Sequence, residues 1–536
     1  MYPGHSGALS TQAANHAASA LPRSDLRAWV LPLLMVAVAT GCSIFLFPVG
    51  FQGYDDLEYL QAAERWLQDG VHAGANHWAN RLPYVLAFAA AFKLFGVGAA
   101  ALVALHALLF AIVAMTVWGL ARVAFGRDVR NERAARCSLA VALATPLLFR
   151  LPTTFYPEAL EVALAGLCVM LVFSQDSKWK EPGRLVLAGI LGGLAILVRQ
   201  TAIALPLVLG PLMLAEAKLP LQTRIHHVAW LAFGFALVQA AELAFYLSIT
   251  GDPLYRFHTD ARHVEIPSVH MSDGAYHGNR ILFNWDLASR WQVPSVIELH
   301  WSVMPLVRLL TSPGLLLTPW LAIAGGLLAW RAGGAARRFV LLAGLVLLLH
   351  YLLNTFVLVI APNTRYFGVA LLLLCPLAGY ALAALSKSAT MVGFAVLYVV
   401  PLLAVAILQP RPASIVDGLE NLIPTVPNEV IHLPPDILAL AALRLRADSV
   451  LAARISPRPA LPSELAVGSQ HHWPEGGQDA RCLDGSITWE RIATSEPPSP
   501  IWAVIRTVGL SGLIPSRLTP LLMRKADTLY LLRRRC

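Results

Sequence analysis

Residues 29–60 read WVLPLLMVAVATGCSIFLFPVGFQGYDDLEYL. The stretch 29–47 is apolar and long enough to cross a bilayer, which takes about 20 residues. Two arginines precede it and no small-residue cleavage site follows it, so we predict a retained first span with a cytoplasmic N-terminus. The acidic pair Asp55-Asp56 then stands just beyond the outer end of that span.

The composition excludes most other classes of protein. Of the 536 residues, 57% are hydrophobic and 14% are charged, against roughly 45–50% and 25% in soluble chains, and the mean hydropathy is +0.60. These figures exclude disordered, collagen-like and coiled-coil chains, and six cysteines are too few for a secreted disulfide scaffold. We attribute the net charge of +9 to basic residues kept in cytoplasmic loops, so nucleic acid is not an expected partner.

The hydropathy pattern predicts an all-α polytopic membrane protein with about 11 transmembrane helices. After the first span, apolar runs begin near Ala99, Cys137, Pro157, Leu185, Thr201, Val228, Leu315, Val340, Phe367 and Met391. If these spans alternate, the clusters of arginine and lysine fall on one side, and the short connections on the other side hold single basic residues. This asymmetry predicts a multi-pass protein of the inner (plasma) membrane with a cytoplasmic N-terminus and a periplasmic C-terminal region.

The same pattern divides the chain into three parts. They are a disordered cytoplasmic N-terminus (1–24), a transmembrane domain (25–408) and a C-terminal extramembrane region (409–536). The transmembrane domain holds two large periplasmic connections, 48–98 and 250–312. The second is rich in His and Asp without the spacing of a metal site, and it is either an acceptor-binding loop or a solvated connector. In the tail, Cys482 and Cys536 can pair only if both lie outside.

The first periplasmic connection is predicted to hold two interfacial helices. Over 54–67, apolar residues recur at helical spacing opposite carboxylates, which is typical of an amphipathic helix on a membrane surface. An apolar stretch of about 14 residues then follows the segment RLPY (81–84) and is too short to span. Asp55 and Asp56 either cap the first of these helices, whose dipole favours acids there, or belong to a functional site.

The acidic pair, the basic-proline element and the membrane layout together resemble the GT-C fold glycosyltransferases. The resemblance is greatest to the bacterial branch related to protein O-mannosyltransferases and lipid A aminoarabinose transferases. Members commonly carry Asp-Glu-x-x-Tyr after the first span, and this chain has Asp55-Asp56-Leu57-Glu58-Tyr59, with Asp in the second place. The segment RLPY stands where the family has a basic-Pro-Pro-like element. The resemblance covers residues 25–215 and, more loosely, 330–390.

The resemblance also assigns candidate site residues near the outer ends of later spans. Glu158 matches the family's second acidic residue, although it also suits a helix cap. Arg199 and Arg365 stand where the family has basic residues. Each of them either holds a lipid phosphate or is an interfacial arginine whose charge reaches the headgroups. Tyr366 completes a basic-aromatic pair with Arg365.

These assignments imply a membrane glycosyltransferase that moves a sugar from a polyprenyl-phosphate donor to a periplasmic hydroxyl, with inversion. The acceptor is a lipid, a glycan or a protein. In this hypothesis Asp55 is the general base, and Asp56 or Glu158 orients the acceptor or assists the base. The residues assigned to substrate binding are Tyr59, Arg81, Arg199, Arg365 and Tyr366.

No cofactor and no metal site are predicted, and a divalent cation, which some members of the family require, is left open. The alternative function is a carrier or flippase of lipid-linked saccharides. Carriers typically show two repeated halves with paired broken helices, and neither is recognisable in this sequence. A non-catalytic membrane scaffold is a third reading, which the concentration of acids and arginines at one face disfavours.

Overall fold

The computed structural model describes residues 23–47, 50, 54–126, 129–174, 181–264, 280–283, 297–300, 303–357, 364–408, 413–427, 429–434, 437–438, 441–442, 445, 449–458, 460–461, 463–469, 489–495, 505, 509, 512 and 528–535. Most of the predicted N-terminal disorder falls outside these residues. The same holds for Cys482, Cys536 and much of the 250–312 connection.

Helices make up most of the described chain. In chain order they are α1 (Arg23–Leu46), α2 (Tyr54–Gln68), α3 (Leu82–Phe95), α4 (Ala99–Phe125), α5 (Val129–Ala144), α6 (Pro146–Phe149), α7 (Glu158–Phe173), α8 (Glu181–Val198), α9 (Ala204–Leu214), α10 (Leu221–Thr250), α11 (Tyr255–Val264), α12 (Met304–Thr311), α13 (Thr318–Ala332), α14 (Gly334–Leu352), α15 (Gly368–Ala384), α16 (Lys387–Phe394), α17 (Val400–Leu408), α18 (Ala413–Leu422) and α19 (Ser449–Ala452). Shorter turns of 3-10 helix cover Gln200–Ile203, Thr364–Phe367 and Ile423–Thr425, and π-helical turns cover Leu353–Val357 and Ala395–Val399.

Seven helical segments within the described residues are long and apolar enough to cross a membrane. They are Trp29–Leu46, Ala99–Phe125, Glu181–Val198, Leu221–Thr250, Gly334–Val357, Arg365–Ala384 and Lys387–Ala406. Shorter helices stand at the other predicted positions, namely α5, α7, α9 and α13. The all-α polytopic class is therefore confirmed, and the count of about 11 spans stays a prediction.

The spans approach each other closely where glycine faces a neighbouring backbone. Gly189 of α8 meets Gly234 of α10, and a Cβ on Gly189 would lie 2.1 Å from the carbonyl oxygen of Leu231. Gly325 of α13 meets α15 in the same way, with 1.8 Å between its hypothetical Cβ and the carbonyl oxygen of Leu377. Small residues permit this contact, which membrane helices need because they gain most of their association energy from close packing.

The two ends of the bundle differ in charge. Glu158 at the start of α7 contacts Arg199 just after the end of α8, which defines one end. The end of α7 and the start of α8 meet at the other end, where Arg122, Lys218 and Arg338 also lie. The connections rich in arginine and lysine thus gather at the end opposite Glu158, as the charge asymmetry predicted.

Both helices predicted for the first connection form, as α2 and α3. Asp55 and Asp56 lie in the first turn of α2. One hydrophobic cluster joins the two helices and includes Tyr59 and Tyr84. Ala442 of the C-terminal region belongs to the same cluster, so this part of the tail lies at the end of the bundle that carries Asp55.

The described part of the tail contains a five-stranded sheet. Its strands are β3 (Ile431–His432), β4 (Ile455–Ser456), β5 (Leu465–Ser469), β6 (Trp489–Ser495) and β7 (Leu529–Arg534), and a separate hairpin within 250–312 pairs β1 (Arg280–Phe283) with β2 (Ile297–His300). The order is β4-β3-β5-β7-β6, with β3 parallel to both neighbours and β7 antiparallel to both of its own. Ile431, Leu465 and Leu531 pack against Leu419 of α18, so this region has a core of its own.

Candidate active site

Four segments that are distant in the sequence meet at one end of the bundle. Asp55 lies in the first turn of α2, and Glu158 is the first residue of α7. Arg199 links α8 to the next 3-10 helix, and Arg365 lies in the 3-10 helix before α15. Ion pairs connect all four side chains, which we call the carboxylate–guanidinium cluster.

Glu158 is the centre of this cluster. Nη1 of Arg199 donates a hydrogen bond to Oε1 of Glu158, and Nε of Arg365 lies 3.5 Å from the same oxygen. The side chains of Glu158 and Arg199 are only 6% and 9% exposed, so solvent screens their attraction little. Two guanidiniums share this one buried carboxylate, and Asp55 is the second acid of the cluster.

Asp55 is the accessible carboxylate of the cluster. Nη2 of Arg365 donates a hydrogen bond to Oδ2 of Asp55 at 3.3 Å. The side chain of Asp55 is 36% exposed, six times the fraction for Glu158. A carboxylate that is both positioned and accessible can accept a proton from an incoming hydroxyl group.

Asp56 is placed differently from its neighbour, because its side chain is fully buried. Burial raises the pKa of the Tyr156 phenol above its ordinary value, and the nearby charges of Asp56 and Glu158 raise it further. The contact with an acceptor that the sequence suggested for Asp56 stays a prediction.

Aromatic rings hold both guanidiniums in place. Cζ of Arg199 lies 3.9 Å from the ring centroid of Tyr366, and Cζ of Arg365 lies 4.9 Å from that of Tyr156. The negative face of an aromatic ring attracts a cation and favours a parallel guanidinium. Our sequence reasoning did not single out Tyr156, although its place immediately before Pro157-Glu158 was a usable signal.

The charge on Arg199 is secured by its neighbours. Burial lowers the pKa of its guanidinium, but Glu158, Tyr366 and Glu161 outweigh that effect, and the pKa lies above its ordinary value. Glu161 itself accepts a hydrogen bond from Thr201 at 2.9 Å. Arg199 is therefore a permanent cation held in one orientation.

Arg81 lies beside the cluster and is held by a separate contact. Its Nη1 donates a hydrogen bond to the hydroxyl of Tyr59 at 2.5 Å, and its Nη2 lies 3.4 Å from Nε2 of His77. Burial raises the pKa of the Tyr59 phenol, and Arg81 offsets part of that rise. Tyr59 is 1% exposed and holds Arg81, and the substrate contact predicted for Tyr59 stays a prediction.

Polar contacts fix α11, at the start of the 250–312 connection, next to the cluster. Asp260 of α11 accepts a hydrogen bond from Gln200, the residue after Arg199, and lies 3.5 Å from Nδ1 of His77. Arg256, one turn earlier, donates to the buried carboxylate of Glu242 on α10 at 2.8 Å. Part of this connection therefore packs against the residues that carry the cluster.

A small cavity of about 70 Å³ adjoins the cluster and is lined by Arg150, Tyr156, Glu158 and Arg365 among others. Among the residues that the structure describes, no group of three His, Cys, Asp or Glu side chains is arranged to hold a metal ion. The carboxylates of the cluster are paired with arginines instead.

Comparison with known proteins supports the fold. A family model described as dolichyl-phosphate-mannose-protein mannosyltransferase matches residues 81–241. The structure is similar to that of ArnT from Cupriavidus metallidurans in the apo state, with a TM-score of 0.53 and 16% sequence identity over 95% of this chain and 98% of that chain. No curated protein sequence matches the chain.

Two further structures are similar at lower scores. ArnT from Cupriavidus metallidurans bound to undecaprenyl phosphate has a TM-score of 0.49 and 17% identity, over 82% of this chain and 93% of that chain. The archaeal oligosaccharyltransferase AglB from Archaeoglobus fulgidus, in complex with an inhibitory peptide and a dolichol-phosphate, has a TM-score of 0.45 and 13% identity, over 77% of this chain and 64% of that chain. The fold that the resemblance implied is confirmed: the chain has the GT-C fold, and residues 81–241 match the mannosyltransferase family model.

Proposed function

We propose that this protein is a membrane glycosyltransferase that moves a sugar from a polyprenyl-phosphate donor to an acceptor hydroxyl at the periplasmic face of the inner membrane. The observation that supports it most directly is the pairing of accessible Asp55 with Arg365, 3.3 Å away. The match to the mannosyltransferase family model and the fold shared with ArnT support the reaction class. The accessible carboxylate and the fixed cations supply the two groups that such a transfer needs.

The positive side of the cluster would hold the donor. Arg199 and Arg365 both contact Glu158, and each guanidinium carries several N–H donors with which it can bind the oxygens of a lipid phosphate. Guanidinium groups match the geometry of phosphate oxygens, and fixed positive charge stabilises the phosphate as it leaves. Arg81, held by Tyr59, is a third cation beside the same place.

The accessible carboxylate would act on the acceptor. The acceptor oxygen forms a bond to the anomeric carbon of the sugar, and the bond from that carbon to the phosphate oxygen breaks. Its electron pair leaves with the lipid phosphate, and the hydroxyl proton passes to Asp55. A single displacement of this kind inverts the anomeric configuration.

Glu158 and Asp56 would support the reaction without touching the acceptor. Glu158 is enclosed by Arg199 and Arg365, so we assign it to positioning the two guanidiniums. Asp56 is fully buried in the first turn of α2 and lies close to Tyr156, so we assign it a structural role in positioning Tyr156.

The test uses the purified full-length protein, a polyprenyl-phosphate sugar labelled in the sugar, and an extract of envelope lipids, glycans and proteins as acceptors. We expect release of polyprenyl phosphate together with transfer of the label, and a loss of about 100-fold or more in Asp55→Asn. Asp69→Asn is the matched control, because Asp69 is exposed one residue beyond α2. Full activity in Asp55→Asn would remove Asp55 from the mechanism.

The same assay distinguishes a glycosyltransferase from the alternative function. A carrier or flippase of lipid-linked saccharides would move the labelled donor across a vesicle membrane without releasing polyprenyl phosphate. Absence of release with every acceptor fraction, together with movement of intact donor, would replace our proposal with the carrier.

A further inference from the structure

A cavity of about 770 Å³ opens at the end of the bundle opposite the carboxylate–guanidinium cluster. The last residues of α7 line it, whereas the first residue of that helix is Glu158. Glu181 and Arg184 at the start of α8 also line it, whereas Arg199 follows the end of that helix. Helices of 16 and 18 residues are about 24 and 27 Å long, so most of a bilayer core separates the cavity from the cluster.

The walls of this cavity are partly apolar and partly basic. Apolar side chains on one wall include Val172, Phe173, Leu209 and Leu212. The basic side chains are Arg122, Arg184, Lys218 and Arg338. Two glutamates, Glu181 and Glu216, are the acidic residues of the lining, so the fixed charge is positive. The volume is typical of a cavity that binds a molecule.

Arg184 is the most informative of these cations. It is 9% exposed, and the Oε1 atom of Glu181 lies 3.6 Å from its Nη2, beyond hydrogen-bond distance. Glu181 is itself half-exposed and also contacts His227 at 3.2 Å. Within the described residues, the Nε of Arg184 has no hydrogen-bond partner. A buried guanidinium held this weakly is costly unless an anion compensates its charge.

The other arginines of the lining already have acidic partners. Arg338 pairs with Glu216, and Nε of Arg122 lies 3.1 Å from Glu132. Lys218 is exposed at the rim. The least neutralised cations of the lining are therefore Arg184, which is 3.6 Å from the half-exposed Glu181, and Lys218.

We propose that this cavity binds the phosphate headgroup of an anionic lipid from the leaflet at this end of the bundle. The phosphate lies against Arg184 and Lys218, and an acyl chain follows the wall formed by Val172, Phe173 and Leu212. Basic pockets between membrane helices recognise such headgroups, and a guanidinium suits phosphate oxygens. The site is separate from the one proposed for the sugar donor.

The test is native mass spectrometry of the full-length protein in detergent, titrated with phosphatidylglycerol or phosphatidylcholine. We expect tighter binding of phosphatidylglycerol, and a loss of roughly fivefold in affinity for it in Arg184→Gln. Arg337→Gln is the matched control, because Arg337 neighbours Arg338 on α14 but stacks on Trp330 outside the lining. This control removes the same charge from the same end of the bundle.

A second variant and a second ligand keep the result decisive. Lys218→Gln removes an exposed charge, so this variant should fold normally. Its affinity for phosphatidylglycerol should also fall by roughly fivefold. Glycerol 3-phosphate, which lacks acyl chains, should bind at least about tenfold more weakly than phosphatidylglycerol. Equal affinity for the two phospholipids would overturn the proposal. An equal loss of affinity for phosphatidylglycerol in Lys218→Gln and Arg337→Gln would overturn it too. Binding of glycerol 3-phosphate without phosphatidylglycerol would overturn the assignment to a lipid.

Discussion

The guanidinium of Arg365 lies 3.3 Å from the carboxylate of Asp55, although 310 positions separate the two residues in the sequence. Arg365 also contacts Glu158, so one cation joins an accessible carboxylate to a buried one. The Nε of Arg365 contacts Glu158, and its Nη2 donates a hydrogen bond to Asp55. Only a branched, planar cation can contact both carboxylates at once. This relationship underlies the first two predictions.

Arg365→Lys should reduce sugar transfer by about 100-fold, because an ammonium group cannot serve both carboxylates at once. The measurement is the initial rate with saturating labelled donor. Arg65→Lys, on the exposed side of α2, is the control and should retain the wild-type rate. A lysine variant as active as the wild type would show that the bridging contact is dispensable.

Glu158→Gln should destabilise the protein by about 3 kcal/mol, because it leaves two guanidiniums next to a neutral, largely buried side chain. Thermal unfolding in detergent should show a lower Tm for this variant. Asp69→Asn changes an exposed carboxylate and should stay within about 0.5 kcal/mol of the wild type. Equal Tm values for Glu158→Gln and the wild type would mean that the buried pairing contributes nothing.

The ring of Tyr366 should matter most for holding Arg199, because Cζ of Arg199 lies 3.9 Å from the ring centroid, whereas the hydroxyl of Tyr366 accepts a hydrogen bond from Arg365. Tyr366→Phe keeps the ring and should raise the donor KM less than Tyr366→Leu, which should raise it roughly 2- to 30-fold, equivalent to about 0.5–2 kcal/mol. Steady-state kinetics over a range of donor concentrations measures both. A similar KM for Phe and Leu would argue against the stacking.

The ion pair between Glu242 and Arg256 should behave as a buried pair, since the two side chains are 3% and 5% exposed. Arg256→Met should lower the free energy of unfolding by about 3 kcal/mol, because it leaves Glu242 without this partner. The double variant Glu242→Met/Arg256→Met should recover most of that loss. The exposed pair of Asp252 and His258 is the comparison, and its removal should cost at most about 1 kcal/mol. Thermal unfolding of Arg256→Met, Glu242→Met, the double variant and Asp252→Asn is the measurement, and a loss of stability in the double variant equal to the sum of the two single losses would contradict the expectation.

The packing of Ala442 with α2 and α3 predicts that the tail and Asp55 share one side of the membrane. In a variant without native cysteines, Cys introduced at Asp69 or Val450 should react with an impermeant maleimide added from the periplasmic side. Cys at Arg331, which lies in the last turn of α13, should react only after permeabilisation. Labelling of Val450→Cys and Arg331→Cys from the same side would contradict this topology.

The pair Asp55-Asp56 shows where sequence reasoning reached its limit. The sequence correctly predicted that both acids stand at the start of a helix after the first span. Successive residues on a helix point about 100° apart, so only one of the two can face the cluster. Asp55 faces Arg365, and Asp56 is buried under the same turn. Tyr59, one turn after Asp55, is also buried, and its hydroxyl accepts a hydrogen bond from Arg81.

The sequence by itself determined the polytopic all-α class, the unequal charge of the two ends, and the presence of two helices in the first connection. Hydropathy, charge bias and helical periodicity are local properties, so they can be read along the chain. Only the tertiary structure decided that Glu158 sits between Arg199 and Arg365, that Tyr156 stacks on Arg365, and that the opposite end encloses a basic cavity. These contacts join separate helices, and they depend on how closely and at what rotation the helices pack, which no local pattern records.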